Sequence, residues 1–473
     1  MRDEPQNPLH ERYASREMAR IFSAGHRFRT WRRLWIVLAR AEQRLGLAIT
    51  DEQIAALERV AERFDHARLA DLERRTRHDV VAHLRHFAEL AGDAGGILHL
   101  GATSAFVTDN ADVLLMREAL ELVERRLVAL ARALARFAAE HRALPALAYT
   151  HFQPAQLTTV GKRACLWLQD VLEDLAEVGR RRAGLRCRGA KGTTGTQASF
   201  LTLFDGDHDK VRDLDRLVAE QLGFAASFPV TGQTYPRKQD SQVLQALAGI
   251  GESCHKLGTD LRLLQGVGEL FEPFDREQVG SSAMAYKKNP IRAERLCALS
   301  RRLLTDSLNG PLTAAVQWLE RSLDDSANRR LVLTDSFLTA DAVLALAGHV
   351  AGGLEIERRT IAARVARELP FMATETVLMA ATMRGGDRQR LHETLRRLSL
   401  EARQAVARGE PNPLLDAIAA DPDFRLTRRE LDDWIAAERF TGRAARQVDE
   451  FLAEHVAPAL DGHAAAALEE PRV

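Results

Sequence analysis

The chain has 473 residues, enough for about three domains and for a large core that needs no disulfide or metal staple. Lys and Arg number 66 and so do Asp and Glu, and a formal charge of zero excludes wholesale coating of nucleic acid or an anionic membrane surface, though not a local basic pocket for a small anion. Four cysteines without a CxxC pair, and a polar, charged N-terminus, argue against a disulfide framework and a secretory signal and set the expectation of a reducing cytoplasm.

Ala, Leu, Arg and Glu are abundant while Tyr occurs only 4 times, so the expected fold class is all-α. Residues 1–103 read as shorter helices ending in a stretch with Gly92, Gly95, Gly96 and Gly101. Ala105 to Leu144 contains no Gly or Pro, and its apolar residues recur at helical spacing behind Asp109 or Asn110 as a candidate cap. A second helix is expected after Pro154, running to about Arg188, with short strands near 199–204. A third covers about Arg237 to Phe271, and a fourth starts with Pro290 in its first turn and ends near Asn309-Gly310-Pro311. A fifth runs from Leu312 toward His349. Residues 357–473 read as short helices broken at Pro370, Gly385-Gly386, Pro411 and Pro413. No apolar run approaches the ~20 residues of a membrane span. The expected subunit has three parts: an N-terminal helical domain (1–103), a central long-helix bundle with the catalytic loops (104–356) and a C-terminal helical domain (357–473). The apolar stripes of the long helices are broad, which implies a bundle that also pairs with other subunits.

Between the helices lie long patches rich in Gly, Ser, Thr and Gln and nearly free of acidic residues: LGATSAFVTDN, YTHFQPAQLTTVGKR, KGTTGTQASF, VTGQTYPRK and VGSSAMAYKKNP. Such loops on a rigid scaffold are where function concentrates. His151 precedes Pro154 and is expected to project from the mouth of a helix, as a general acid or base or as a hydrogen-bonded loop residue. In RTRHDVVAHLRHF, His78, Asp79, His83 and His86 have poor spacing for a metal; His78 is assigned to a polar site and the other two to structure or surface. Ser281 follows Gly280 in a loop that leads into the helix begun by Pro290: either the free N–H groups there and the charge of Lys287 stabilise an alkoxide, or the segment is a mobile, solvated connection between helices. Ser326 and Arg330 lie one helical turn apart with Arg321 upstream, donors for phosphate or carboxylate, or a salt-bridged face with Asp324 and Asp325. KGTTGTQ lacks the spacing of a phosphate-binding P-loop. Arg outnumbers Lys 59 to 7, and all seven Lys fall between Lys162 and Lys288, several of them in these patches.

The loop GSSAMAYKKNP resembles the signature of the fumarase/aspartase superfamily, G-S-S-x-M-P-x-K-x-N. With RYAS, RHDVVAHL, Thr103-Ser104, THFQPAQLTTVGKR, KGTTGTQASF, TGQTY, LDDSANRR and ELPFMATE, in order over nearly the whole chain, the sequence is similar to the adenylosuccinate lyases of the animal type. The resemblance implies a homotetramer with active sites shared between three subunits. It implies elimination of fumarate from adenylosuccinate, giving AMP, and from SAICAR, giving AICAR, with no cofactor and no metal. It assigns Ser281 as general base, His151 as general acid and Glu294 as the carboxylate that orients the histidine. It places Arg12, Tyr13, Arg77, His78, Asp79, Thr103, Ser104, Thr150, Gln233, Lys287, Asn289, Arg295, Arg321, Ser326 and Arg330 in substrate binding. Another lyase of the superfamily, and an inactive helical scaffold, are the competing readings. Ala285 departs from the pattern, which has Pro there.

Overall fold

The computed structural model describes residues 7–464, and these are mostly helical, with two small antiparallel two-stranded sheets. The longest helix, Ser104–Glu140, has 37 residues, so it is about 55 Å long. It packs against Val160–Ala183, Asp325–Gly352 and Ala24–Arg44; Lys238–Gly266 packs against Ile291–Asp306 and Val160–Ala183. Apart from the N-terminal Ala24–Arg44, these five long helices are the central bundle expected from the pattern, with shifted ends.

The shifts have physical causes. Thr103 is the N-cap of Ser104–Glu140, while Asp109 and Asn110, expected as caps, lie inside the helix and are buried. The second helix begins at Val160, capped by Thr159, because residues 145–159 form a β-hairpin instead. Its strands are Pro145–Thr150 and Gln153–Thr159. Pro154 sits in the second strand of this two-stranded sheet, where the missing N–H is tolerated. The segment near 199–204 is the short helix Ala198–Leu203, not strand. The fifth helix starts at Asp325, preceded by the short helix Asn309–Ala315. Pro370 does not break its helix but lies inside Arg358–Met372.

Residues from Leu9 to Leu98 share one continuous apolar core with the central helices, and Val448 and Val456 from the C-terminal part join it. A separate small core, with Leu391, Leu414, Phe424 and Leu431, lies within residues 377–431. Asp325–Gly352 contains an 18-residue window of mean hydropathy 1.5, which the sequence reading passed over; 83% of that window is buried inside the fold, as in a central bundle helix. The bundle thus covers most of that window within one chain. The large apolar side chains left exposed concentrate instead at Leu308, Leu312, Trp318, Leu319, Leu323 and Leu331.

One buried group works against the fold. Glu42 is completely buried on Ala24–Arg44, and neither carboxylate oxygen has a hydrogen-bond partner among the described residues. Burial pushes its carboxyl up to about 9. A carboxyl raised in the folded state leaves stability intact below its unfolded pKa of about 4.5 and removes it as pH rises toward 9. Glu42→Met should therefore raise the thermal midpoint at pH 8, by the equivalent of about 2 kcal/mol, and much less at pH 5. A gain independent of pH, or a loss at pH 8, contradicts this.

Candidate active site

Three helix starts and two loops converge on a cavity of about 320 Å³. His78 and Asp79 open Asp79–Ala91; Thr103 and Ser104 open Ser104–Glu140; Ser326 and Arg330 lie in the first turns of Asp325–Gly352. Gln233 comes from the TGQTY loop and Arg321 from the loop before Asp325–Gly352, so eight of the expected binding residues line one cavity. Helix N-termini present unpaired N–H groups and positive potential, which suits an anionic ligand. The Thr103 side chain does not cap its own helix. Arg330 donates to Asp79 Oδ2 at 2.7 Å, and Ser104 Oγ lies 3.3 Å from His78 Nε2. Burial works to raise the Asp79 carboxyl, but its bonds from Arg330 and the Val80 N–H hold it below the ordinary range.

The floor of the cavity is a buried charged network that local sequence pattern does not reveal. Arg237 bridges two helices, donating to Asp109 at 3.1 and 3.2 Å and to Asp325 Oδ2 at 2.7 Å. Arg329 donates to Asp240 and to the Tyr235 hydroxyl, each at 2.7 Å, and lies 3.0 Å from Asp112. The Tyr235 N–H donates to Asp109 at 3.0 Å. Burial raises the Asp109 carboxyl, yet the charges of Arg237 and Arg329 hold it below the usual range. Arg329 and Arg330 both line the cavity, but they are one residue apart, so about 100° on the helix turns Arg329 down into the buried network and leaves Arg330 half-exposed against Asp79. In an Arg-rich sequence nothing distinguished them.

The surrounding loops meet backbone to backbone. A Cβ on Gly232 would lie 2.5 Å from the Glu320 carbonyl oxygen, and the Gln233 N–H donates to that same oxygen at 2.9 Å. Gly195, at φ +85°, leaves no room for a side chain beside the Thr231 carbonyl. Gln233 Nε2 reaches the Thr193 carbonyl at 3.0 Å, so KGTTGTQ supports the cavity wall. Lys191 of that loop is buried and paired with Asp215, a structural use of one of the seven lysines.

Other expected residues lie elsewhere on the chain. Thr150 and His151 are exposed at the tip of the hairpin, not at a helix mouth. His151 and Phe152 form its two-residue turn at φ 54° and 57°, conformations that non-glycine residues rarely adopt and that mark functional sites. Tyr149 anchors the hairpin: its hydroxyl donates to Glu269 at 2.8 Å and accepts from Arg364 at 3.0 Å. Of the other histidines, His83 packs on Phe28 and Trp31, and burial lowers it to about 4, while His86 receives a bond from Arg32 at 2.9 Å. Arg12 and Tyr13 sit in the turn Leu9–Tyr13, which packs on Asp325–Gly352. Arg77 is exposed, with φ 52°, at the end of His66–Thr76.

Ser281, Lys287 and Asn289 belong to the 280–290 loop, and Glu294 and Arg295 to the first turns of Ile291–Asp306. Asn289 Nδ2 donates to the Gly280 carbonyl at 2.8 Å, closing the loop at its base. The helix N-terminus does not serve Ser281 with free N–H groups as expected. Glu272, buried, accepts the N–H groups of Arg292 and Ala293 at 3.0 and 2.8 Å. Ser281 Oγ instead accepts from its own loop, from the N–H groups of Met284 at 3.1 Å and Ala283 at 3.4 Å. Ala285 is the second residue of a turn closed by the Lys287 N–H on the Met284 carbonyl at 3.0 Å. Proline pre-sets φ at that position. Ala285→Pro should leave turnover similar or higher; a loss of more than about tenfold in a steady-state assay contradicts this.

The chain matches two family models: "Lyase" over residues 12–304 and "Adenylosuccinate lyase C-terminus" over residues 370–451. Adenylosuccinate lyase of Saccharomyces cerevisiae is 48% identical over 96% of this chain and 95% of that protein. Adenylosuccinate lyase of Schistosoma mansoni is 45% identical over 98% of this chain and 97% of that protein. Among solved structures, a fumarate lyase from Mesorhizobium sp. BNC1 aligns with a TM-score of 0.80 at 25% identity, covering 95% of this chain and 100% of that one.

Proposed function

The chain belongs to the adenylosuccinate lyase family and is a carbon–nitrogen lyase that releases fumarate, and we propose that its residues work as follows. Its substrates are adenylosuccinate, cleaved to AMP, and SAICAR, cleaved to AICAR. Ser281, as alkoxide, takes the proton from the succinyl carbon next to a carboxylate. The released electron pair forms the double bond of fumarate as the carbon–nitrogen bond breaks. The His151 imidazolium gives its proton to the departing nitrogen, and Glu294 orients that ring. All steps are proton transfers and one elimination, so the chemistry calls for no cofactor and no metal.

The observation that carries the assignment of the base is the geometry at Ser281: two backbone N–H groups aim at Oγ, and preorganised donors stabilise an oxyanion there. Lys287 and Asn289, joined by Thr103, Ser104, Thr150 and Gln233, hold the succinyl carboxylates. The part of the cavity lined by Arg321, Ser326 and Arg330 takes the nucleotide phosphate, with Arg12 and Tyr13 joining on assembly, and Arg77, His78, Asp79 and Arg295 complete the substrate contacts.

The active unit is a homotetramer in which three chains contribute to each site. Two features support this: His151 and Ser281 stand on separate elements away from the lining of the cavity, and a run of large apolar side chains from Leu308 to Leu331 is exposed. All four cysteines are buried and unpaired, which suits a cytoplasmic location. The test is an absorbance assay on both succinylated substrates with chelator present. Turnover of adenylosuccinate to AMP and fumarate is expected; turnover of argininosuccinate instead, or of nothing, overturns the reading.

A further inference from the structure

Asp325 is wholly buried at the first position of Asp325–Gly352, yet it forms part of the cavity wall. Its Oδ2 is taken by Arg237 at 2.7 Å, and Arg237 is held from the other side by Asp109. Its Oδ1 has no hydrogen-bond partner among the described residues; the Arg321 guanidinium stands 3.6 Å away. A buried carboxylate oxygen without a donor is costly unless a charge lies close, and Arg321 supplies that charge. Arg321 itself arrives on a loop whose backbone rests on Gly232 through Glu320. Two neighbouring cavity arginines are held differently: Arg329 by Asp240, Asp112 and Tyr235, and Arg330 by Asp79. Arg321 is held by attraction to Asp325 across a gap too long for a hydrogen bond, which leaves its N–H donors for a ligand.

We propose that Asp325 is a positioning residue for the nucleotide half of the substrate: its free oxygen orients Arg321 so that the guanidinium meets the phosphate, while Asp325 itself touches no substrate. The proposal rests on the nucleotide-lyase reading above. It gives a reason for an acid in the wall of an anion pocket, where a direct contact would repel the ligand. Through Arg237, the same carboxylate ties Arg321 to the Ser104–Glu140 helix, which presents Thr103 and Ser104 to the same cavity.

The test separates the two halves of the ligand. In the full chain, AMP affinity is measured by calorimetry and fumarate by product inhibition. Asp325→Asn keeps size and one acceptor for Arg237; it should weaken AMP by about tenfold and change fumarate inhibition by less than about twofold. In an Arg321→Ala background the same substitution should add little, because the partner through which it acts is gone. Asp325→Glu, which keeps the charge, should recover part of the AMP affinity, and this holds as a readout if Asp325→Asn folds poorly. Unchanged AMP affinity in Asp325→Asn, equal losses for AMP and fumarate, an undiminished loss in the Arg321→Ala background, or a Glu variant no better than Asn each overturns the proposal. Wild-type protein that binds no AMP would overturn the lyase reading itself, a result distinct from these.

Discussion

His151→Ala and Ser281→Ala should each lower kcat on adenylosuccinate by about a thousandfold, within the range for loss of a general acid or base. Neither change should move the thermal midpoint or the oligomeric state much, because both side chains sit in loops outside the apolar core. The double variant should be little worse than either single one, since groups that act in one step are not additive. A mixed population adds a sharper result. His151 and Ser281 lie on separate elements, the hairpin tip and the 280–290 loop. If a site takes them from different chains, reassembling the two inactive variants together creates some sites with both groups intact. Activity should return in the mixture and in neither parent. A mixture that forms mixed oligomers yet stays inactive would falsify the shared site, and full activity in either single variant would remove that residue from the mechanism.

Arg237→Met should be among the most destabilising single changes in the chain. It removes the cation between Asp109 and Asp325, whose side chains are 2% and 0% exposed. Breaking a buried pair from one side leaves uncompensated charge and costs about 3–5 kcal/mol. For a protein of this size that is a drop of about 3–5 °C in thermal midpoint. Asp109 would then take up a proton more readily, since Arg237 is the first of the charges that offset its burial. The loss should therefore be partly relieved at pH 5 relative to pH 8. A midpoint within about 2 °C of wild type would mean that the network contributes little. Arg237→Lys should be only a partial rescue, because one ammonium cannot reproduce the fork that reaches both carboxylates.

Local pattern was enough to place the five long helices, since apolar spacing and the absence of Gly and Pro act within a few turns. The motifs were legible for the same reason: TS, TGQTY and LDDSANRR each occupy a few consecutive residues. The hairpin was not legible, because Pro154 reads equally as a helix opener and as a strand residue, and the choice between them depends on the pairing of Thr150 with Gln153. Nor was the capping of Ile291–Asp306 by Glu272, which comes from 20 residues upstream and claims the N–H groups that sequence reasoning had left for Ser281.

What the sequence by itself determined is the helical class, the family and the residue types available for acid, base and anion binding. Only the tertiary structure decided how those residues are grouped. It brought Asp79, Ser104, Gln233, Arg321 and Arg330 to one cavity and set His151 and Ser281 apart from it. It also separated Arg329 from Arg330, and turned Asp109 from a presumed cap into the partner of an arginine 128 residues away. Such pairings are set by burial: a charge removed from water must find its counter-charge wherever the packed helices bring one, and sequence distance has no bearing on that.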